Sequence, residues 1–136
     1  MSSADAAGIP LLAVLKEKDR ERVLRGAKRR TYAPGDVVVR EGDSALNLFL
    51  IVSGRARVER VAGGVSVTLG PGAFFGEIGL IEQHARTASV IADGELTCIL
   101  LPAWEFRVLL DEHPEMAVPM VHELIARMHG MSPHAH

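Results

Sequence analysis

The sequence predicts a mainly β domain, a sandwich or barrel, with helices at both ends. Three observations carry that expectation. Short β-rich runs recur through the middle of the chain: Val37-Val38-Val39, Leu48-Phe49-Leu50-Ile51-Val52, Ala56 to Val61 and Val65 to Leu69. Turn chemistry separates them at Pro34-Gly35-Asp36, Glu41-Gly42-Asp43, Ser53-Gly54, Gly63-Gly64 and Gly70-Pro71-Gly72. These residues supply left-handed backbone, a preset φ or a local side-chain hydrogen bond. Helical patterns then bracket the strands on both sides, and regularly spaced short strands with such punctuation indicate a sandwich or barrel.

Taken in order, the first helix begins near Pro10, a residue suited to a first helical turn, and presents Leu11, Leu12, Val14 and Leu15. A second covers Asp19 to Gly26, with Asp19 as the expected N-cap and Gly26 as the stop. After the central strands, Thr87 to Ala92 and Glu95 to Leu101 resume the β pattern. Pro102 suits a first helical position, and Phe106, Leu109 and Leu110 give the next helix its apolar face. His113-Pro114-Glu115 marks a break. Ala117, Met120, Val121, Leu124, Ile125 and Met128 then follow the spacing of an amphipathic helix. Pro119 removes a backbone donor inside that stretch, which predicts a kink or a late start.

Composition narrows the function classes. The 136 residues fit one domain, and 48% hydrophobic content suffices for an aliphatic core. Seventeen acidic against 15 basic residues leave a formal net charge of -2, which argues against a nucleic-acid partner. The cluster Lys28-Arg29-Arg30 can touch phosphates, but a solvated face explains it more simply. Cys98 is the only cysteine and lies in the apolar run Leu96 to Leu101, where a small buried hydrophobe is expected. No stretch approaches the roughly 18 apolar residues of a membrane span. The start Met1-Ser2-Ser3-Ala4-Asp5 lacks a secretion signal, so the expected address is cytoplasmic.

The segment Gly70 to Ala92 reads GPGAFFGEIGLIEQHARTASVIA and carries the chemistry. Phe75-Gly76-Glu77-Ile78-Gly79-Leu80 breaks the strand pattern and can form one helical turn, whose free amides suit an anion. Gly76 admits close backbone approach. Nine residues after Glu77 stands Arg86, whose planar paired donors match phosphate oxygens. Thr87 adds a hydroxyl, and the Ala88 amide is near the same point. An exposed Glu77–Arg86 ion pair on a tight loop is the competing structural reading.

This segment closely resembles the phosphate-binding cassette of the cyclic-nucleotide-binding domain family. That family's pattern is Phe-Gly-Glu, a small residue and Leu, a loop, then Arg-Thr/Ser/Ala-Ala; here it reads Phe75-Gly76-Glu77-Ile78-Gly79-Leu80, a loop, and Arg86-Thr87-Ala88. The turns Pro34-Gly35-Asp36-Val37, Arg40-Glu41-Gly42-Asp43, Val52-Ser53-Gly54 and Leu69-Gly70-Pro71-Gly72 resemble the family's turns in their usual order. Phe106 to Leu110 and His113-Pro114-Glu115 resemble its first lid helix and the start of the second, so the likeness covers residues 9 to 130.

The resemblance implies a double-stranded β-helix, a jelly-roll-like barrel with N-terminal helices and C-terminal lid helices. It divides residues 1–136 into helices at about 9–27, the barrel at about 31–101 with the cassette at 74–88, and lid helices at about 102–130. It also implies a regulatory sensor that binds cAMP or cGMP. Glu77 would accept a hydrogen bond from the ribose 2′-hydroxyl, and Arg86 would pair with the cyclic phosphate. Backbone amides near Gly76, Ile78 and Ala88 would contact sugar or phosphate. In bacterial channel members of the family an arginine of the last helix covers the purine. Ungapped counting places Arg127 there, with Val61 as an apolar floor; a solvated helix residue is the alternative for Arg127. Thr87 permits cGMP without excluding cAMP, and cAMP is slightly favoured as the commoner bacterial ligand. Ala85 departs from the proline many members carry before the cassette arginine.

An end soon after Arg127 is expected to leave no room for an attached DNA-binding domain. The resemblance leaves an effector protein open as a partner, and a monomer or weak homodimer as the state. A degenerate sensor that binds a partner protein instead of nucleotide is the competing function. A cupin-type metal enzyme needs histidines on barrel strands, and none of the six histidines falls on an expected strand. No catalysis, cofactor or metal is expected.

Overall fold

In the computed structural model, residues 8–40, 47–59, 67–76 and 89–128 are described, 127 and 128 by backbone alone. Helix α1 (Pro10–Ala13) and α2 (Glu17–Gly26) precede eight strands: β1 (Lys28–Tyr32), β2 (Val37–Val39), β3 (Asn47–Ser53), β4 (Ala56–Glu59), β5 (Val67–Leu69), β6 (Phe74–Phe75), β7 (Ser89–Ala92) and β8 (Leu96–Pro102). Helix α3 (Ala103–Glu112), a 3-10 turn (Pro114–Met116) and helix α4 (Ala117–Met128) follow.

The strands form two four-stranded sheets, ordered β1-β8-β3-β6 and β2-β7-β4-β5. Every pairing is antiparallel. Among the described residues no ladder joins the sheets, so they stack face to face as an open jelly-roll-like sandwich, not a closed barrel.

The first sheet is the middle of three layers. Side chains alternate along a strand, and a strand covered on both faces reads as one continuous apolar run. In β3, Leu48 and Leu50 face the helices while Phe49 and Ile51 face the second sheet; β8 does the same with Ile99 and Leu101 against Cys98 and Leu100. The helix side is filled by Leu11, Leu12, Phe106, Leu109, Met116 and Met120.

Several expectations shift by a few residues. Helix α2 starts at Glu17, with Lys16 as its extended N-cap, instead of at an Asp19 cap; Glu17 and Asp19 sit in the first turn, where the helix dipole favours acids. Pro102 ends β8 and serves as the N-cap, so α3 begins at Ala103. Pro119 is the third residue of α4, a position whose N–H has no intrahelical partner in any case. The helix starts late, after the 3-10 turn. Strand β1 starts at Lys28, earlier than 31, because its basic residues occupy an exposed edge.

Between β3 and β4 the chain turns at Gly54, whose φ is +85°; a Cβ there would lie 2.1 Å from the Glu95 carbonyl oxygen. Only glycine fits that approach.

Candidate functional site

The entry to the cassette is built by β6. The Gly70–Ala73 turn is held by Ala73 N–H to Gly70 O at 3.1 Å, and it is stitched to β3 by Gly72 N–H to Ile51 O at 2.9 Å and Ile51 N–H to Ala73 O at 2.8 Å. Phe74 and Phe75 then pair with Leu50 and Phe49. The rings of Phe49 and Phe75 stack with centroids 4.8 Å apart and planes 6° from parallel. At Gly76 the backbone takes φ +90°, a left-handed value that costs other residues about 1–2 kcal/mol. A strand fixed on β3 thus delivers the chain to a sharp turn immediately before Glu77.

The exit lies on the other sheet. Ser89 opens β7, which sits between β2 and β4, and Ser89 is the ladder partner of Glu59. In sequence, Arg86 stands three residues before Ser89, and Val61 two residues after Glu59.

Of the expected site residues, Gly76 is described, and its backbone is left-handed. Glu77, Ile78, Arg86, Thr87, Ala88 and Val61 lie outside the described residues. Arg127 belongs to the last turn of α4, and its side chain also lies outside them.

One residue near the site was not legible in the sequence. Glu123 of α4 is 2% exposed, and its Oε2 accepts the Phe74 N–H at 3.3 Å. The bond ties the last helix to β6, two residues before Gly76, and position 127 is one helical turn further on. Accordingly α4 faces the core with Met120 and Glu123, after Met116 of the 3-10 turn, while Val121 and Ile125 of the expected apolar stripe stay exposed. A polar residue in an apolar run is ordinarily assigned to the solvent side, so periodicity alone gave no signal for Glu123.

Other groups are committed elsewhere. Arg57 Nε donates to Glu59 Oε1 at 2.5 Å, and this hydrogen bond, with the carboxylate's charge, pushes the guanidinium above its already high ordinary value. Burial pushes the Cys98 thiol up to about 12, so it offers no thiolate at neutral pH. Among the described residues, no group of three or more His, Cys, Asp or Glu side chains could hold a metal, and no helix is long and apolar enough to cross a membrane.

Comparisons with known proteins place this geometry. A cyclic nucleotide-gated potassium channel of Mesorhizobium japonicum is 34% identical over 82% of this chain and 30% of its own length. Glutaminase 2 of Bradyrhizobium diazoefficiens is 34% identical over 85% of the chain and 18% of its own length. A cAMP-dependent protein kinase regulatory subunit of Schizosaccharomyces pombe is 35% identical over 65% and 21%. The chain therefore spans less than a third of the length of these relatives. The cAMP-bound regulatory domain of Toxoplasma gondii protein kinase A shares the fold, with TM-score 0.79 and 22% identity, over 90% of this chain and 49% of that one. The family profile described as cyclic nucleotide-binding domain matches residues 29–113, from edge strand β1 through both sheets and α3. The chain belongs to the cyclic nucleotide-binding domain family.

Proposed function

We propose that residues 1–136 act as one cytoplasmic regulatory sensor domain that binds a cyclic nucleotide, cAMP in preference to cGMP, without catalysing a reaction. Arg86 pairs with the cyclic phosphate, and Glu77 accepts from the ribose 2′-hydroxyl. Amides at Gly76, Ile78 and Ala88 and the Thr87 hydroxyl complete the phosphate and sugar contacts. Val61 floors the base, and Arg127 covers it from α4. An effector protein would read the response of the C-terminal helices.

The division of labour follows from charge. A carboxylate and a phosphodiester repel if they share an atom, so Glu77 is suited to a hydroxyl donor, while Arg86 neutralises the phosphate. The observation that carries this reading is the left-handed turn at Gly76, where a strand locked to β3 ends directly before Glu77. Support for cAMP comes from the name of the yeast kinase subunit among the relatives.

Losing a charged partner in a closed site costs on the order of 2–4 kcal/mol, roughly thirty- to thousandfold in affinity. Calorimetry against cAMP and cGMP, with AMP as control, should show micromolar binding of the cyclic forms. Arg86→Ala should abolish it while circular dichroism stays unchanged; unchanged affinity would overturn the assignment.

A further inference from the structure

We propose that β1 is a docking edge for an extended acidic peptide segment of a partner protein, which adds to the first sheet as a fifth strand. Among the described residues the edge is open on one side. Strand β1 pairs along its whole length with β8, from Lys28 opposite Leu100 to Tyr32 opposite Leu96, and with no other strand among the described residues. Its outer N–H and C=O groups therefore face away from the sheet, and Lys28 to Thr31 are exposed. Unpaired edge groups are what an added strand uses for affinity.

Charge selects the occupant. Residues 16–30 hold eight basic and three acidic side chains, leaving five positive charges, while the rest of the chain sums to seven negative. Within this region Arg22 is paired with Asp19 and with Glu112 at 3.0 Å. No carboxylate among the described residues pairs with Arg25, Lys28, Arg29 or Arg30; Arg30 reaches the Tyr32 hydroxyl instead. Because side chains alternate, Lys28 and Arg30 project on one face of the strand and Arg29 on the other. An acidic strand would meet cations on both faces.

A pocket adds the second requirement of strand addition, a place for a side chain. Leu24, Ala27, Lys28, Arg29 and Ile99 line a cavity of about 60 Å³ where α2 meets β1. Leu24, Ala27 and Ile99 supply its apolar lining, which suits a small apolar side chain. Duplex nucleic acid or an anionic bilayer would meet the charges but leave the edge amides and the pocket unused. A second copy is disfavoured, since pairing β1 with itself sets cation against cation. Charges that merely protect an edge need neither the pocket nor Arg25 at the end of α2.

The test is fluorescence anisotropy with a short labelled peptide alternating Asp and Val, against its Lys-Val counterpart, a DNA duplex and phosphatidylserine vesicles, all without nucleotide. The acidic peptide should bind, its affinity should fall about tenfold in Lys28→Glu/Arg29→Glu, and amide exchange should slow at residues 28–32. Lys28→Gln/Arg29→Gln, which removes charge at near-constant size, should show the same direction if the reversal perturbs folding. Absence of acidic-peptide binding, indifference to both variants, protection elsewhere, or tighter binding of DNA or vesicles would overturn the proposal.

Discussion

The two buried layers on either side of the first sheet differ in what holds them. Between the sheets, Phe49, Ile51, Phe75, Val90, Cys98 and Leu100 project from strands that are themselves tied by ladders. On the other side, Leu11, Phe106, Leu109, Met116 and Met120 belong to helices resting on the sheet, joined to it by packing and by the Glu123–Phe74 bond. A helix can shift on a sheet without breaking a ladder; two sheets cannot separate without uncovering their whole interface. Ladders therefore hold the strand where the cassette begins, and packing with one hydrogen bond holds the helix that carries Arg127. The proposed response of the C-terminal helices would draw on that difference, because a ligand shifts an equilibrium only between states that differ in contacts.

The sharpest way to break this contrast is Phe75→Ala. The ring is 2% exposed and stacked on Phe49, so its loss opens a cavity in the inter-sheet layer. Such truncations cost about 3–5 kcal/mol. Denaturant titration should show a loss of that size, with exchange accelerating across β3, β6 and β8 together. Acceleration confined to β6 would mean that the inter-sheet layer is not one cooperative unit.

Glu123→Ala probes the other layer. It removes the carboxylate that accepts from the Phe74 amide, a loss of about 1–3 kcal/mol for a buried hydrogen bond to a charged group. Glu123→Gln keeps an acceptor oxygen and should cost less. In native-state exchange the alanine variant should open residues 117–128 preferentially, with β3 and β8 unaffected, and added cAMP should restore part of the protection. Uniform acceleration of helix and sheet would erase the distinction between the layers.

Legibility in the sequence follows the same division. Runs such as Leu48 to Val52 announce strands buried on both faces, because nothing polar interrupts them. Strand β1 was hidden: Lys28-Arg29-Arg30-Thr31 has no apolar alternation, since an edge strand with four exposed residues has no buried face to encode. Glu123 was hidden for the opposite reason, a carboxylate buried where periodicity expects it in water. The cassette's family pattern could be read from the chain, and of its residues the structure describes Phe74, Phe75 and Gly76, the last with a positive φ. The contacts proposed for Glu77 and Arg86 depend on a ligand's geometry, which spacing along a chain does not encode.

The smallest effect comes from Cys98, and it tests how dry the inter-sheet layer is. Burial pushes this thiol up to about 12, whereas an unfolded cysteine ionises near its ordinary value of about 8.5. Between those values the native state keeps a proton that the unfolded chain has lost, so unfolding releases it and stability falls as pH rises. Below the lower value both states are protonated, and the group contributes no slope. Tyr32, raised by desolvation, adds the same sign above pH 10. One thiol should contribute a slope of about 1.4 kcal/mol per pH unit, starting near pH 9. Comparing denaturation of the native chain with Cys98→Ala at pH 8, 9 and 10 isolates it: alanine should lose less stability over that interval, whatever its offset at pH 8. Alkylation should likewise wait for unfolding. Parallel pH curves, or rapid alkylation of the native protein, would mean that water reaches the space between the sheets, and the inter-sheet half of the comparison would lose its basis.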